Sequence, residues 1–165
     1  MRTIGIVSDT HGILREEALE ALRGSDLIIH AGDIGSLEVL ERLRAIAPVR
    51  AVRGNTDYGE VAAALPNTDV VDLSAPDGSL SQEGRGPVAY VLHGHLGLDL
   101  DPEASGFRVV VSGHTHEPLI REQAGVLYFN PGSAGPRRFT LPVTVGRLLV
   151  DGESVEAEII DLEGA

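Results

Sequence analysis

The chain has 165 residues and a formal net charge of -12, from 13 basic and 25 acidic side chains. All the basic residues are arginine, and neither lysine nor cysteine occurs, which excludes a P-loop nucleotide cradle, Schiff-base catalysis, thiol nucleophiles and disulfides. The acidic balance argues against extended nucleic-acid binding, which depends on basic stripes that displace counterions from phosphates. Oxygen and imidazole chemistry remains available.

The length predicts one domain, and we expect residues 1–165 to form it. No apolar run approaches the roughly 18 residues that a membrane-spanning helix needs, so we expect no membrane contact. The apolar run at residues 4–7 is too short to be the core of a signal peptide. The sequence therefore predicts a cytoplasmic protein.

Predicted strands and helices alternate in the first third of the chain. Residues 3–8 predict a buried strand, and apolar residues at helical spacing then continue to Gly24, a typical helix end. Residues 26–30 predict a second strand, Ser36 can cap a second helix, and residues 49–53 predict a third strand. Strands separated by helices of about ten residues indicate parallel crossovers, which gather chemistry beyond the carboxyl ends of the strands.

The rest of the chain is richer in strands. Asp151 and Gly152 lie between two alternating apolar segments and predict a closing hairpin. Residues 74–87 are polar and glycine-rich, which predicts an exposed loop, and residues 96–107 leave room for at most one or two helical turns. The other predicted strands are at residues 69–73, 88–92, 108–112 and 126–129.

Polar segments follow five of the predicted strands, and all six histidines lie at or just beyond a strand end. Any one such segment is more often a turn or a helix cap than a ligand. Five at successive strand ends predict a shared site. The segments are Asp9-Thr10-His11, Gly32-Asp33, Gly54-Asn55-Thr56-Asp57, His93-Gly94-His95 and Gly113-His114-Thr115-His116.

The residue types in these segments favour a pair of divalent cations. Carboxylate, amide and imidazole ligands suit manganese, iron, zinc, nickel or cobalt, and a carboxylate can bridge two ions where an imidazole cannot. Two ions roughly 3.5–4 Å apart lower the pKa of a shared water and clamp the attacking and leaving oxygens of an in-line displacement. The predicted reaction is phosphoester hydrolysis by a metal-bridging hydroxide.

The order D-x-H, G-D, G-N-x-D, H-G-H and G-H-x-H, followed by Asn130-Pro131-Gly132-Ser133, resembles the calcineurin-like metallophosphoesterases. The resemblance runs through nearly the whole chain and is to the small single-domain phosphodiesterases of bacteria and archaea. It implies an α/β fold, a four-layer α-β-β-α sandwich of two mixed sheets flanked by helices. It also implies two divalent metal ions, with manganese as the first choice and zinc, iron, nickel, cobalt or magnesium as alternatives.

The same resemblance implies a ligand set. One metal would be held by Asp9, His11, Asp33 and His116. The other would be held by Asp33, Asn55, His93 and His114, with Asp33 as the bridge. His11 and Asn55 would also help to orient the phosphate, which makes them catalytic residues together with Asp33.

Several neighbouring residues have open assignments. His95 either supports the ligands or touches the substrate, and His30 is expected to bond backbone or a ligand carboxylate rather than a metal. Asp57 is expected to support the loop that carries Asn55, with a role in proton transfer as the alternative. Arg137 and Arg138 either meet the substrate phosphate or are solvated surface arginines.

One departure from the family concerns the proton for the leaving group. Larger relatives place a histidine after the G-N dipeptide, whereas here Thr56 follows Asn55. Threonine is not a useful general acid near neutral pH. We therefore expect a preference for esters with acidic leaving groups, unless His95 supplies the proton.

The predicted function is a metal-dependent phosphodiesterase or phosphatase that acts on small phosphoesters. The alternative is a non-catalytic scaffold, because the family includes a retromer subunit that keeps the fold as a protein-binding platform. Suitable ligand types at every metal position favour the enzyme. The sequence does not identify the substrate, and a homodimer is compatible with it.

Overall fold

The computed structural model describes residues 1–81 and 86–163, which form two five-stranded sheets and three helices. The elements in chain order are β1 (Arg2–Val7), α1 (Glu16–Leu22), β2 (Leu27–His30), α2 (Leu37–Arg44), β3 (Val49–Ala51), α3 (Gly59–Ala64), β4 (Thr68–Asp72), β5 (Val88–Leu92), β6 (Val109–Val111), β7 (Leu119–Gln123), β8 (Val126–Asn130), β9 (Thr144–Asp151) and β10 (Ser154–Asp161).

The first sheet has the strand order β10-β9-β1-β2-β3. Strands β1, β2 and β3 are parallel, with Ile4 opposite Leu27 and Ile28 opposite Val49, so the two predicted parallel crossovers are confirmed. Strands β9 and β10 are antiparallel and form the predicted hairpin at Asp151. The sheet is therefore mixed.

The second sheet has the strand order β4-β5-β6-β8-β7 and is also mixed. Strands β5, β6 and β8 run parallel, whereas the edge strands β4 and β7 are antiparallel to their neighbours. Sequence analysis did not predict β7 or α3. All five residues of β7 are exposed, so the strand lacks the apolar alternation that marks a half-buried strand, and α3 buries only Val61.

Apolar side chains pack in three clusters that define the layers. The three helices formed by the described residues pack on the outer face of the first sheet, through side chains such as Leu22, Leu40 and Val61. Gly5 permits this approach, because a Cβ there would lie 2.7 Å from Leu22 Cδ2. The inner cluster joins the two sheets and contains Ile4, Ile6, Leu27, Ile29, Ala31, Val52, Val71, Leu73, Ala89, Val91, Val109, Val111, Leu127, Phe129, Leu148, Val150 and Val155.

The outer face of the second sheet is covered differently. Leu100 and Phe107 pack there against Tyr90, Leu92 and Val110. They belong to residues 96–107, all of which the structure describes as turns and coil without a helix, consistent with the short span expected from the sequence. The α/β sandwich of two mixed sheets is confirmed, with a loop layer over the second sheet.

The predicted loop at residues 74–87 is mostly exposed where the structure describes it, and its residues 82–85 lie outside the described part. Among the described residues, no helix is both long enough and apolar enough to cross a membrane.

The carboxyl ends of the parallel strands of both sheets meet at one edge of the sandwich. The Asp9 amide donates to the Gly32 carbonyl at 3.0 Å, which joins the loops after β1 and β2. The Gly113 amide donates to the His93 carbonyl at 3.0 Å, which joins the loops after β5 and β6. The His114 amide donates to Asp9 Oδ2 at 3.1 Å and connects the two sheets. The polar segments predicted from the sequence are therefore brought together.

Candidate metal centre

The backbone is strained at most of the candidate ligands. The described residues include seven non-glycine residues with positive φ, and five of them are candidate ligands. Such left-handed conformations cost about 1–3 kcal/mol each and persist only where the surroundings enforce them. Here the loops are held by hydrogen bonds such as that from the His11 amide to the Asp33 carbonyl, at 2.9 Å. The φ angles are 56° at Asp9, 49° at His11, 54° at Asp33, 73° at His114 and 63° at His116.

Each candidate carboxylate has one oxygen engaged by protein donors. Asp9 Oδ2 accepts from the Ser8 hydroxyl at 2.6 Å and from the His114 amide at 3.1 Å. Asp33 Oδ1 accepts from the Thr56 amide at 3.0 Å. Asp9 Oδ1 is buried and has no hydrogen-bond partner in the described part of the chain. Each carboxylate is therefore oriented by one oxygen and presents the other to the imidazoles.

The first group of donor atoms consists of Asp9, His11 and His116. Asp9 Oδ1 lies 3.3 Å from His116 Nε2 and 3.9 Å from His11 Nε2, and the two imidazole nitrogens are 3.4 Å apart. Two donors of one tetrahedral cation with metal–nitrogen bonds of 2.0–2.1 Å are separated by roughly 3.3 Å. The spacing of these atoms fits a shared cation.

The second group consists of Asp9, Asp33 and His93. His93 Nδ1 lies 2.8 Å from the Ala31 carbonyl, to which it donates, so the Nε2 lone pair faces the carboxylates. Nε2 lies 3.2 Å from Asp33 Oδ2 and 3.8 Å from Asp9 Oδ1. It is buried and makes no hydrogen bond within the described residues. A cation would satisfy both this nitrogen and the unpaired Asp9 oxygen.

Asp33 Oδ2 also lies 3.7 Å from His11 Nε2, so this oxygen faces an imidazole of each group. Burial acts to raise the pKa of Asp33, but the proximity of His93 and the hydrogen bond from the Thr56 amide outweigh it and lower that pKa. Burial likewise acts to lower the pKa of His93, but Asp33, the Ala31 carbonyl and Asp9 raise it. The carboxylate thus stays ionised, as a ligand must.

Asn55 and His114 lie at the solvent side of these groups. Asn55 Oδ1 is 3.2 Å from His114 Nδ1, and the His114 ring is 5.1 Å from the His93 ring in an edge-on arrangement. All seven candidate ligands are therefore neighbours. Asp9 Oδ1 lies within 3.9 Å of imidazole nitrogens from both groups, a position that the sequence did not predict.

His30 is buried and connects two ligand loops. Its Nδ1 accepts from the Gly32 amide at 3.2 Å, so its Nε2 carries the proton and donates to Thr10 Oγ1 at 3.0 Å. The Thr10 hydroxyl in turn donates to the Ile34 carbonyl at 2.9 Å. Burial, reinforced by the neighbouring His93 imidazole, lowers the pKa of His30 to about 3. The hydrogen bond to backbone expected from the sequence is present.

Asp57 joins the loop that carries Asn55 to the loop that carries Asp33. Its carboxylate accepts from the Gly54 amide at 2.9 Å, the Ile34 amide at 2.9 Å and the Gly35 amide at 3.0 Å. The supporting role predicted for it extends to the neighbouring loop.

The Asn130–Ser133 segment is hydrogen-bonded to two of the loops that carry candidate ligands. Ser133 Oγ donates to the Asp9 carbonyl at 3.1 Å, and Asn130 Nδ2 donates to the Gly113 carbonyl at 3.0 Å. Ser8, whose hydroxyl orients Asp9, was not predicted from the sequence as a site residue. Its only signal was its position between an apolar strand and the D-x-H segment.

The residues with open assignments differ in their surroundings. The His95 ring is 5.5 Å from the His93 ring, and burial together with the neighbouring imidazoles lowers the pKa of His95. Burial lowers the pKa of His116, and the charge of Arg138 acts in the same direction, whereas Asp9 opposes it. Arg137 instead forms an ion pair with Glu163 at 3.4 Å.

Comparison with known proteins identifies the family of this chain. The model of the calcineurin-like phosphoesterase superfamily domain matches residues 1–153. The chain belongs to the calcineurin-like phosphoesterase superfamily. A probable metallophosphoesterase of Methanothermobacter thermautotrophicus is 38% identical over 167 residues, an alignment that covers 95% of this chain and 91% of the relative.

Other calcineurin-like relatives include phosphodiesterase YfcE of Escherichia coli, which is 32% identical over 95% of this chain and 92% of its own. The solved structure of YfcE superposes with a TM-score of 0.69 at 27% identity and covers 98% of this chain and 93% of the other. The structure of Vps29 from Chaetomium thermophilum gives a TM-score of 0.73 at 18% identity, with 97% of each chain covered. At that identity the likeness to Vps29 shows the fold alone.

Proposed function

We propose that the protein is a metal-dependent phosphodiesterase that acts on small phosphoesters. The observation that carries the proposal is the arrangement of Asp9 and Asp33, each with one oxygen held by protein donors and the other facing imidazole nitrogens. Relatives of similar length are named phosphodiesterases, which supports the reaction class.

Two divalent cations, with manganese as the first to test, would be held by the residues of the two groups together with Asn55 and His114. One would be bound by Asp9, His11 and His116, the other by His93, Asn55 and His114. Asp33 would be shared between them. When bound, the cations would lower the pKa of a water molecule and neutralise charge on the phosphate.

The residues of the chain have distinct tasks around such a pair. Ser8 and the His114 amide fix the rotamer of Asp9, and the Thr56 amide fixes that of Asp33. Because Asn55 is exposed beside His114, its amide can donate to a phosphate oxygen at the open side of the centre. His11 is partly exposed and can contact the same phosphate.

The acidic exterior supports a small substrate. The net charge of -12 repels long polyanions, whereas the cations would attract a single phosphate locally. Asp33 and Asp9 contribute -2 and two cations +4, which leaves the innermost shell positive. We therefore expect small phosphodiesters to be better substrates than DNA or RNA at physiological salt.

The test is hydrolysis of bis(p-nitrophenyl) phosphate by protein that has been stripped with a chelator and reconstituted with manganese. Asp33→Asn should reduce the rate at least about a hundredfold, since even residues that only support a ligand affect metal sites by 10–100-fold. Glu156→Gln, at an exposed position on β10, is the matched control and should retain the rate. Unchanged activity in Asp33→Asn would contradict the mechanism. An inert protein that binds no cation would support the scaffold alternative.

A further inference from the structure

Most of the large exposed apolar side chains among the described residues follow candidate site residues closely along the chain. Monomeric proteins usually scatter exposed apolar residues singly, and a concentration marks a binding site. Among the described residues nine large apolar side chains are exposed, and seven belong to segments that directly follow site residues; only Met1 and Leu80 lie elsewhere. The seven are Ile13, Tyr58, Leu96, Leu98, Leu119, Ile120 and Phe139.

Two cavities open among these segments. The first has a volume of about 290 Å³ and is bordered by the metal-ligand candidate His93, with Leu92 and Leu96 as apolar walls and Asp99 at the rim. Asp99 is held in place, because its Oδ1 accepts from the Tyr90 hydroxyl at 2.9 Å.

The second cavity has a volume of about 380 Å³. It is bordered by the ligand candidate His114, and Pro118 and Leu119 form its apolar wall. Glu117 supplies a carboxylate to its lining, as Asp99 does in the first cavity.

The two cavities adjoin each other beside the proposed second metal position. Gly94 lines both, and each reaches a different imidazole of the proposed second metal position, His93 in the first and His114 in the second. Those two rings are 5.1 Å apart, about the span of a phosphate group with its oxygens. A phosphate at the cation held by these two imidazoles would lie beside both cavities, so a diester can place one substituent in each, whereas a monoester has only one substituent to place.

The charges of the linings restrict what the substituents can be. Each cavity carries one carboxylate, and no arginine is among the described residues that line either of them. A negatively charged substituent in either cavity would face Asp99 or Glu117 with no arginine in the described lining to offset it, and like charges at close range disfavour binding. Uncharged, apolar substituents instead match Leu96 and Leu119.

We propose that these two cavities bind the two alcohol substituents of a phosphodiester, and that they select apolar substituents without negative charge. This inference rests on the proposed phosphodiesterase function and names its substrate class. Leu96 and Leu119 are then specificity-determining residues, and Asp99 and Glu117 exclude anionic diesters.

Three p-nitrophenyl diesters test the selection with the same leaving group. Their second substituents are methyl, phenyl and 4-carboxyphenyl. We expect kcat/KM for the phenyl ester to exceed that for the methyl ester about tenfold, from burial of the ring. The carboxyphenyl ester should fall below the phenyl ester by a similar factor. Equal rates for the methyl and phenyl esters would overturn the inference and leave the proposed function standing.

Substitutions of the lining residues test whether the two cavities cause the selection of substituents. Leu96→Ser and Leu119→Ser should each reduce the ratio of phenyl to methyl kcat/KM several-fold. Leu80→Ser is the matched control, because Leu80 is exposed and lines neither cavity. Asp99→Asn and Glu117→Gln should raise kcat/KM for the carboxyphenyl ester relative to the phenyl ester, with Glu156→Gln as control. The inference would be overturned if both kcat/KM ratios, phenyl to methyl and carboxyphenyl to phenyl, were the same in all four variants as in their controls.

A binding measurement separates failure of the inference from failure of the proposed function. Diphenyl phosphate is added to zinc-loaded protein with carbon-13 labelled leucine methyl groups. We expect methyl shifts at both Leu96 and Leu119, none at Leu80, and a shift at only one cavity with phenyl phosphate. Absence of hydrolysis of every diester would overturn the function, whereas shifts at one cavity or neither with diphenyl phosphate would overturn the inference.

Discussion

Asp33 Oδ2 lies 3.2 Å from His93 Nε2 and 3.7 Å from His11 Nε2, so one carboxylate oxygen faces imidazoles from the two sheets. His11 follows β1 of the first sheet, and His93 follows β5 of the second. The opposite oxygen of the same carboxylate is held by the Thr56 amide. Asp33 therefore fixes the spacing between the two groups of candidate ligands.

Cation stoichiometry should separate the two groups. We expect two divalent ions per chain in the reconstituted protein, and one in either His116→Gln or His93→Gln, because each variant removes a donor of only one group. Asp33→Asn should weaken both positions, since its oxygen serves both. Elemental analysis after equilibrium dialysis measures the counts, and two tightly held ions in Asp33→Asn would contradict a shared carboxylate.

Ser8→Ala should weaken cation binding without touching a ligand. The variant removes the 2.6 Å hydrogen bond to Asp9 Oδ2, and Asp9 can then leave the rotamer that presents Oδ1. Loss of such a supporting bond typically lowers metal affinity about 10–100-fold. Calorimetric titration of the metal-free protein measures the change. Ser154→Ala, at the exposed start of β10, is the control, and equal affinity in both variants would refute the role of Ser8.

His30 should make the metal-free protein sensitive to acid. Its pKa is about 3 in the folded state against 6.5 in the unfolded chain, so the unfolded state binds the extra proton as the pH falls below 6.5. Between pH 7 and pH 5 this linkage lowers the free energy of unfolding by about 2 kcal/mol.

His30→Asn keeps an acceptor for the Gly32 amide but does not titrate. We expect the variant to be less stable at pH 7 and to lose less stability on acidification than the parent. Urea unfolding of parent and variant in the presence of a chelator, at pH 5, 6 and 7, measures how the free energy of unfolding of each protein changes with pH. The same pH dependence in parent and variant would show that protonation of His30 does not cause the loss of stability in acid.

Asp57 should stabilise the two loops that carry Asp33 and Asn55, although it is not itself a candidate ligand. Asp57→Ala leaves the Gly54, Ile34 and Gly35 amides without their acceptor, which should cost about 1–3 kcal/mol of unfolding free energy and weaken cation binding. Asp57→Asn keeps one acceptor oxygen and should recover part of both losses. Denaturant melts and metal titrations of the two variants provide the comparison. A parent-like Asp57→Ala would contradict the role, and so would equal losses in both variants.

Much of the fold was predictable because the buried strands carry continuous apolar runs. Strand β5 begins and ends where the sequence predicted, and β1, β2 and the closing hairpin differ only at their ends. Strand β7 was missed because it is an exposed edge strand, and α3 because six residues give too short a periodic pattern. The prediction of one domain over residues 1–165 stays a prediction.

The candidate site was predictable as a set of residues but not as a geometry. The polar segments could be placed together because parallel strands end at the same edge. Which oxygen of Asp9 or Asp33 is held depends on a local hydrogen bond from Ser8 and on bonds from Thr56 and His114, which lie 23 and 105 residues from their acceptors. The two cavities depend on how the loops after β5 and β6 fold, and local sequence patterns do not encode that.

The left-handed backbone at five candidate ligands lowers folding stability at residues that the proposed activity needs. Glycine adopts such angles without steric cost, so replacing His11 or His114 by glycine would relieve strain while removing a donor. A selection for thermal resistance alone would therefore favour inert variants with glycine there.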